Sequence, residues 1–197
     1  MRRKNSELRS REYLFPEEVK ALLEAAKQSP RHSNRNYTLI LVGYQHGLRV
    51  REAHNLRWSQ IDFSSKKIHV NRIKRGQPSI HPLISVEITA LYQLKLEMGE
   101  TATGRVFLSE RNQPLSIRSM QYIVEKAGKK AGLSFPTHFH MLRHSCGFYL
   151  ANKGIDTRAI QDYLGHTNIM HTVGYTKLVS SRFDNFFEEK SVTAFPN

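Results

Sequence analysis

Residues 137–176 read THFHMLRHSCGFYLANKGIDTRAIQDYLGHTNIMHTVGYT, and their reading decides the fold and chemistry of the whole chain. Within these forty residues His140, Arg143, His144, His166 and Tyr175 follow one another, where a purely structural segment would carry apolar side chains. His140, Arg143 and His144 stand at i, i+3 and i+4, so a helix over this segment puts them on one face. Such a face offers a planar guanidinium fork and two imidazoles to one spot. A phosphate suits it, because Arg pairs with two oxygens at once and His exchanges a proton near neutral pH.

Taken singly, these residues say little. The chain has ten His and eight Tyr, and a lone His is more often a satisfied structural residue than a catalytic one. His138, His140 and His144 invite a metal reading. There is a single Cys, and no carboxylate follows these His until Asp156, so no metal and no cofactor are expected.

Composition points to a polyanion. Lys plus Arg number 30 against 17 Asp plus Glu, a net charge of +13, and the sequence pI is about 10.0. That excess reads as a nucleic-acid partner without choosing between DNA and RNA. At 197 residues the chain suits one domain with tails. Cys146 has no partner for an internal disulfide and fits a reducing cytoplasm. No apolar run approaches the ~20 residues that span a bilayer, and the basic N-terminus lacks the apolar segment of a signal peptide. A cytoplasmic, nucleoid-associated protein that makes no membrane contact is expected.

Outward from the central stretch, residues 1–11 carry five Lys or Arg and one Glu and read as a basic arm that lies along phosphates. Pro16, with Glu17 and Glu18, opens a helix with Val19, Leu22, Leu23 and Ala26 as its apolar stripe. Asn36 to Tyr44 predicts a buried helix with Gly47 as its C-cap. Arg49 and Glu52 fall one turn apart on a short helix, where the carboxylate can hold the guanidinium; an ordinary surface ion pair is the alternative. Lys67–Asn71 and Ser79–Leu83 read as strands of a hairpin with Lys74 at its tip. Ser85 is the expected cap of a helix to Met98 with Ile88, Leu91, Leu94 and Leu96 toward the core, and Val106–Ser109 a short strand. Ser116 caps a helix to about Ala131 whose basic face carries Arg118, Lys126, Lys129 and Lys130. Asp156 caps a helix from Thr157 to Tyr163. Residues 180–190 suggest a last helix with Phe183, Phe186 and Phe187 on one side, either a docking patch for a neighbouring subunit or a contact to the chain's own core. The class is α+β, predominantly α, with one small antiparallel sheet.

The ordered set His140-x-x-Arg143-His144, Leu164-Gly165-His166 and Tyr175 resembles the C-terminal signature of the tyrosine recombinases. Gly47-Leu48-Arg49-x-x-Glu52 is similar to the family's first-arginine motif, and Ile73-Lys74-Arg75-Gly76 to its hairpin lysine. The match runs from about Tyr13 to Leu178, and its wording is most like the fimbrial phase-variation invertases. The resemblance implies a catalytic domain over residues 12–179, flanked by the arm at 1–11 and a tail at 180–197. It implies that Tyr175 attacks a DNA phosphate to give a 3′-phosphotyrosyl link and a free 5′-hydroxyl. Arg49, Arg143 and His166 would bind the scissile phosphate, Lys74 would be the general acid and His140 would assist proton transfer. Glu52 and His144 would be supporting residues, His144 the more structural. Implied partners are double-stranded DNA with inverted-repeat sites, three further copies in a tetrameric synapse, and accessory DNA-bending proteins. An integrase or excisionase of a mobile element, a non-cutting DNA-binding regulator and a relaxing topoisomerase are the competing readings.

Overall fold

A computed structural model describes residues 11–73, 77–99 and 104–177. Helix α1 (Pro16–Lys27) starts where Pro fits the first turn, and the Glu18 carboxylate accepts the Phe15 amide at 2.8 Å. Glu18 also pairs with Arg11, whose guanidinium lies 4.2 Å from the Phe15 ring centre and 5.0 Å from that of Phe135. Arg11, read as the end of the arm, is therefore tied to the folded body. Residues 1–10 and the expected helix at 180–190 lie outside the described residues.

Helix α2 (Ser33–Gln45) buries every residue from Asn36 to Gly43. A helix apolar nearly all round needs neighbours on all sides. Accordingly α1, α3 (Val50–Asn55), α4 (Ser85–Met98), α5 (Ile117–Lys130) and α6 (Phe139–Asn152) all pack on it. Strands β1 (Ile61–Asp62), β2 (Lys67–Val70) and β3 (Ser79–Pro82) form an antiparallel sheet in that order, with Ile68 opposite His81 and Val70 opposite Ser79. Alternation puts Ile68 and Val70 inward and Lys67 and His69 outward. Buried His81 then meets His46 at the end of α2, Nδ1 to Nδ1, at 3.1 Å.

Three local expectations change. Ser85 is the first helical residue of α4 and not its cap, because Glu87 takes the capping role by accepting the Ile84 amide at 3.1 Å. Leu96 on that helix is 59% exposed, and the inward stripe runs past it from Leu91 and Leu94 to Met98. Val106–Ser109 forms no strand: Val106 and Phe107 are buried, but their backbones bond singly to Leu56 and Leu115. Ser116 and Asp156 do cap α5 and α7 (Thr157–Leu164), each accepting from first-turn amides. With α8 (Met170–Thr176), the described residues hold eight α-helices and one small sheet, the α+β, predominantly α class that the sequence predicts.

The core has two parts, and α6 joins them. Phe139, Met141 and Leu142 enter the main cluster, while Cys146 and Ala151 pack with Ile160 and Leu164 of α7 and Tyr175 of α8. This wedge position fixes the two C-terminal helices relative to α2. Gly47 marks the seam. Its φ is +54°, and a Cβ there would run into Leu164. Gly47→Ala should lower stability by about 1–2 kcal/mol for the left-handed backbone, with more from the collision. A urea midpoint equal to that of the parent chain would contradict this.

Candidate active site

The face of α6 is where the site is built. His140, Arg143, His144 and Gly147 recur at i, i+3, i+4 and i+7 and line up toward α8. Arg143 is 1% exposed and donates to the Gly47 carbonyl at 2.6 Å and the Leu164 carbonyl at 2.7 Å. Both carbonyls stand at the ends of helices, the negative poles of their dipoles, which suits a buried cation. Burial, with help from Arg49 and Arg72, draws the Arg143 guanidinium down to about 10, so it stays charged at neutral pH.

Arg49 precedes α3, and Glu52 holds it twice: Oε1 accepts from Nη1 at 2.8 Å and Oε2 accepts from the backbone amide at 2.9 Å. Glu52 is buried, so this is no surface ion pair. The same carboxylate accepts from Arg72 at 2.9 Å and from the Ile73 amide at 3.2 Å. It thereby fixes the residue next to Lys74, which itself lies outside the described residues. Burial alone would raise the Glu52 carboxyl, but Arg72 and the two Arg49 hydrogen bonds win and hold it below its ordinary value.

Tyr175 on α8 presents its hydroxyl to His144 Nδ1 at 2.9 Å. The ring is buried against Gly147, where an added Cβ would sit inside van der Waals contact with three ring carbons. His166 follows Gly165, whose φ of +64° ends α7, and its Nδ1 is 2.8 Å from the Thr172 hydroxyl. With that hydroxyl donating, the His166 ring proton sits on Nε2, available to an oxygen in the cleft. His140 is exposed at the rim, edge-on to His144 with 4.5 Å between ring centres.

Arg49, His140, Arg143, His144, His166 and Tyr175 line one cleft of about 590 Å³, together with Ile73 and His171. A separate cleft of about 350 Å³ among α1, α2 and α5 contains none of them. Of the eight residues singled out in the sequence, the structure brings these six to the cleft and places Glu52 behind Arg49. Among the described residues, no group of three or more His, Cys, Asp or Glu is arranged to hold a metal ion. None of the described helices is long and apolar enough to cross a membrane.

Four further residues build this cleft without a clear signal in the sequence. Arg72 donates to the His46 carbonyl at 3.0 Å and also to that of Tyr163, joining the same two helix ends as Arg143. Its signal, a lone Arg inside a strand-like run, is weak. Thr172 and His171 precede Tyr175 by one helical turn. Gly147 was the most legible, since it continues the His140–Arg143–His144 face by one more turn.

The sequence profile described as the phage integrase family matches residues 12–182. This chain belongs to that family. It is a tyrosine-type site-specific recombinase. The type 1 fimbriae regulatory protein FimB of Escherichia coli (strain K12) is 46% identical over 178 residues, covering 89% of this recombinase and 88% of FimB. FimE of the same strain is 39% identical over 186 residues, covering 92% and 93%. Among solved structures, the XerA recombinase superposes with a TM-score of 0.75 at 28% identity over 94% of this recombinase, which spans 64% of the XerA chain.

Two outcomes follow from the geometry. Gly147→Ala should push the Tyr175 ring out of its seat and abolish covalent attachment to DNA while leaving filter binding of duplex intact; normal attachment would mean the ring is not held there. The second concerns acid. Burial draws His81 and His166 down to about 3 and His144 to about 4, whereas the unfolded chain protonates near 6.5. The unfolded state therefore binds more protons in the window from about 6.5 down to 4, and stability falls as pH falls through it. Unfolding at pH 5.5 should take up roughly two to three protons, read as the pH slope of the urea-derived free energy. A flat slope there would contradict neutral, buried imidazoles.

Proposed function

We propose that this recombinase inverts a promoter element controlling fimbrial genes, cutting and rejoining DNA through a 3′-phosphotyrosyl intermediate. The observation that carries the reading is the convergence of one phenol, three guanidinia and four imidazoles on a single cleft. A phosphodiester needs its oxygens' developing charge met and its leaving oxygen protonated, and little else beyond positioning. Arg49, Arg143 and His166 Nε2 bind the scissile phosphate. Tyr175 attacks phosphorus, and the 5′-oxygen leaves with a proton from Lys74, with His140 assisting. Covalent storage of the bond energy lets the strand be rejoined without a nucleotide cofactor.

Residues 12–179 form the catalytic domain, and residues 1–11 are a basic arm along the DNA backbone, consistent with the +13 charge. The partner is double-stranded DNA with inverted-repeat sites. Four copies make the synapse, DNA-bending proteins assist it, and the work is done in the cytoplasm on the nucleoid. Similarity to FimB and FimE supports the fimbrial assignment over a mobile element's integrase.

The test uses a half-site selected from random duplexes by the Tyr175→Phe chain, which keeps its ring and so its fold. A nicked duplex carrying that site should give a covalent complex with the parent chain and none with Tyr175→Phe. Arg49→Ala is the cleaner probe of the phosphate clamp, because Arg143→Ala also removes a buried staple of the fold. Arg49→Ala should cleave about 10²–10³-fold more slowly, since Glu52 keeps Arg72 as partner. Cleavage should persist in excess EDTA, because guanidinium charge meets the phosphate. Occupancy of the site without any cleavage would instead identify a non-cutting regulator.

A further inference from the structure

The imidazole that touches the Tyr175 hydroxyl is His144, at 2.9 Å. Its neighbour His140, at the rim, meets the His144 ring and lies one group further out. We propose that His144 is a catalytic base for the nucleophile, taking the phenolic proton of Tyr175 on Nδ1 as the oxygen attacks phosphorus. This rests on the reading of Tyr175 as the attacking residue.

The step balances. The Tyr175 O–H bond breaks and its proton moves to Nδ1 of the tautomer protonated on Nε2, giving an imidazolium. The phenolic oxygen forms the bond to phosphorus, and the P–O5′ bond breaks with its electron pair on the 5′-oxygen, which the general acid protonates. On rejoining, the 5′-hydroxyl displaces the phenol, and the imidazolium returns the proton to Tyr175.

A base is needed because the phenol is a poor nucleophile while it holds its proton. Burial pushes Tyr175 up to about 12 against the opposing field of Arg143. At pH 7 the free phenolate would be on the order of 10⁻⁵ of the population. Burial keeps His144 neutral, and thus able to accept, at about 4.

The charged and titratable groups facing His144 are Tyr175 from α8, Glu12 from the N-terminal segment, Arg143 and His140 on its own helix, and His138 at that helix's start. Arg143 and a protonated His138 oppose an imidazolium, whereas Glu12 favours it. Glu12 Oε2 lies 3.0 Å from His138 Nε2. A scissile phosphate in the cleft would add negative charge beside Arg143 and ease the transfer further. Gly147 lets the phenol lie against α6 one turn beyond Arg143, which brings its oxygen to Nδ1.

The experiment is single-turnover cleavage of the selected nicked duplex with sulfur in place of the bridging 5′-oxygen. A thiolate leaves without a proton, so the pH profile then reports the nucleophile alone. The parent chain should show a level rate from about pH 6.5 to 8.5. His144→Asn puts an amide oxygen where Nδ1 stands, so it keeps the hydrogen bond but not the base. Its rate at pH 7 should fall about 10²–10⁴-fold and rise tenfold per pH unit up to pH 9. A rate lowered by one constant factor at every pH would show a role in positioning only and overturn the proposal, as would an unchanged rate. His144→Gly should regain cleavage with added imidazole in proportion to its neutral form, and absence of that rescue in a folded, DNA-binding chain also overturns it. Failure of the underlying reading looks different, because the parent chain would then form no adduct through Tyr175.

Discussion

A buried guanidinium must find acceptors or it destabilises the fold, and Arg143 meets that demand with the carbonyls of Gly47 and Leu164. This one arrangement ties the end of α2 to the end of α7 through the middle of α6. Arg72 repeats the tie from the sheet, donating to His46 and Tyr163. The residues that follow each stapled end, Arg49 after Gly47 and His166 after Leu164, thereby face the same cleft. Function and folding share a residue here. Losing Arg143 would take a guanidinium from the cleft and leave Arg72 alone to join the two helix ends.

Around the staple, each reactive group has a partner that limits its freedom. Glu52 accepts from Arg49, from Arg72 and from the amide next to Lys74, so one buried carboxylate positions three parts of the site. Thr172 holds His166 through its Nδ1, and Gly147 sets the depth of Tyr175. Such constraints reduce the reorganisation left to the moment of reaction. Thr172 and Tyr175 lie on one short helix, so α8 orients both the His166 imidazole and the Tyr175 phenol.

Most of the site was legible because its residues repeat at helical spacing on one segment. His140, Arg143 and His144 announce a shared face, and caps such as Ser116 and Asp156 announce where helices start. Arg72 was illegible because its partners lie 20 to 91 residues away in sequence, and no local period marks a buried cation. The contact of His144 with Tyr175 is illegible in the sequence for a related reason. Adjacent to Arg143 it looks like a helix-face residue, and only the packing of α8 onto Gly147 shows that the phenol reaches it. Val106–Ser109 read as a strand because burial of Val106 and Phe107 imitates strand composition. Propensity there lost to tertiary context.

The central claim is that the side chain attached to DNA is Tyr175 and that it holds a 3′ end. The most direct measurement is mass spectrometry of the peptide carrying nucleotide after trapping on the nicked duplex in EDTA, with end-labelling of the released strand. One adduct is expected, on Tyr175 through a 3′-phosphate, with a released strand carrying a free 5′-hydroxyl. An adduct on any other residue, or one joined through a 5′-phosphate with a 3′-hydroxyl released, would contradict it.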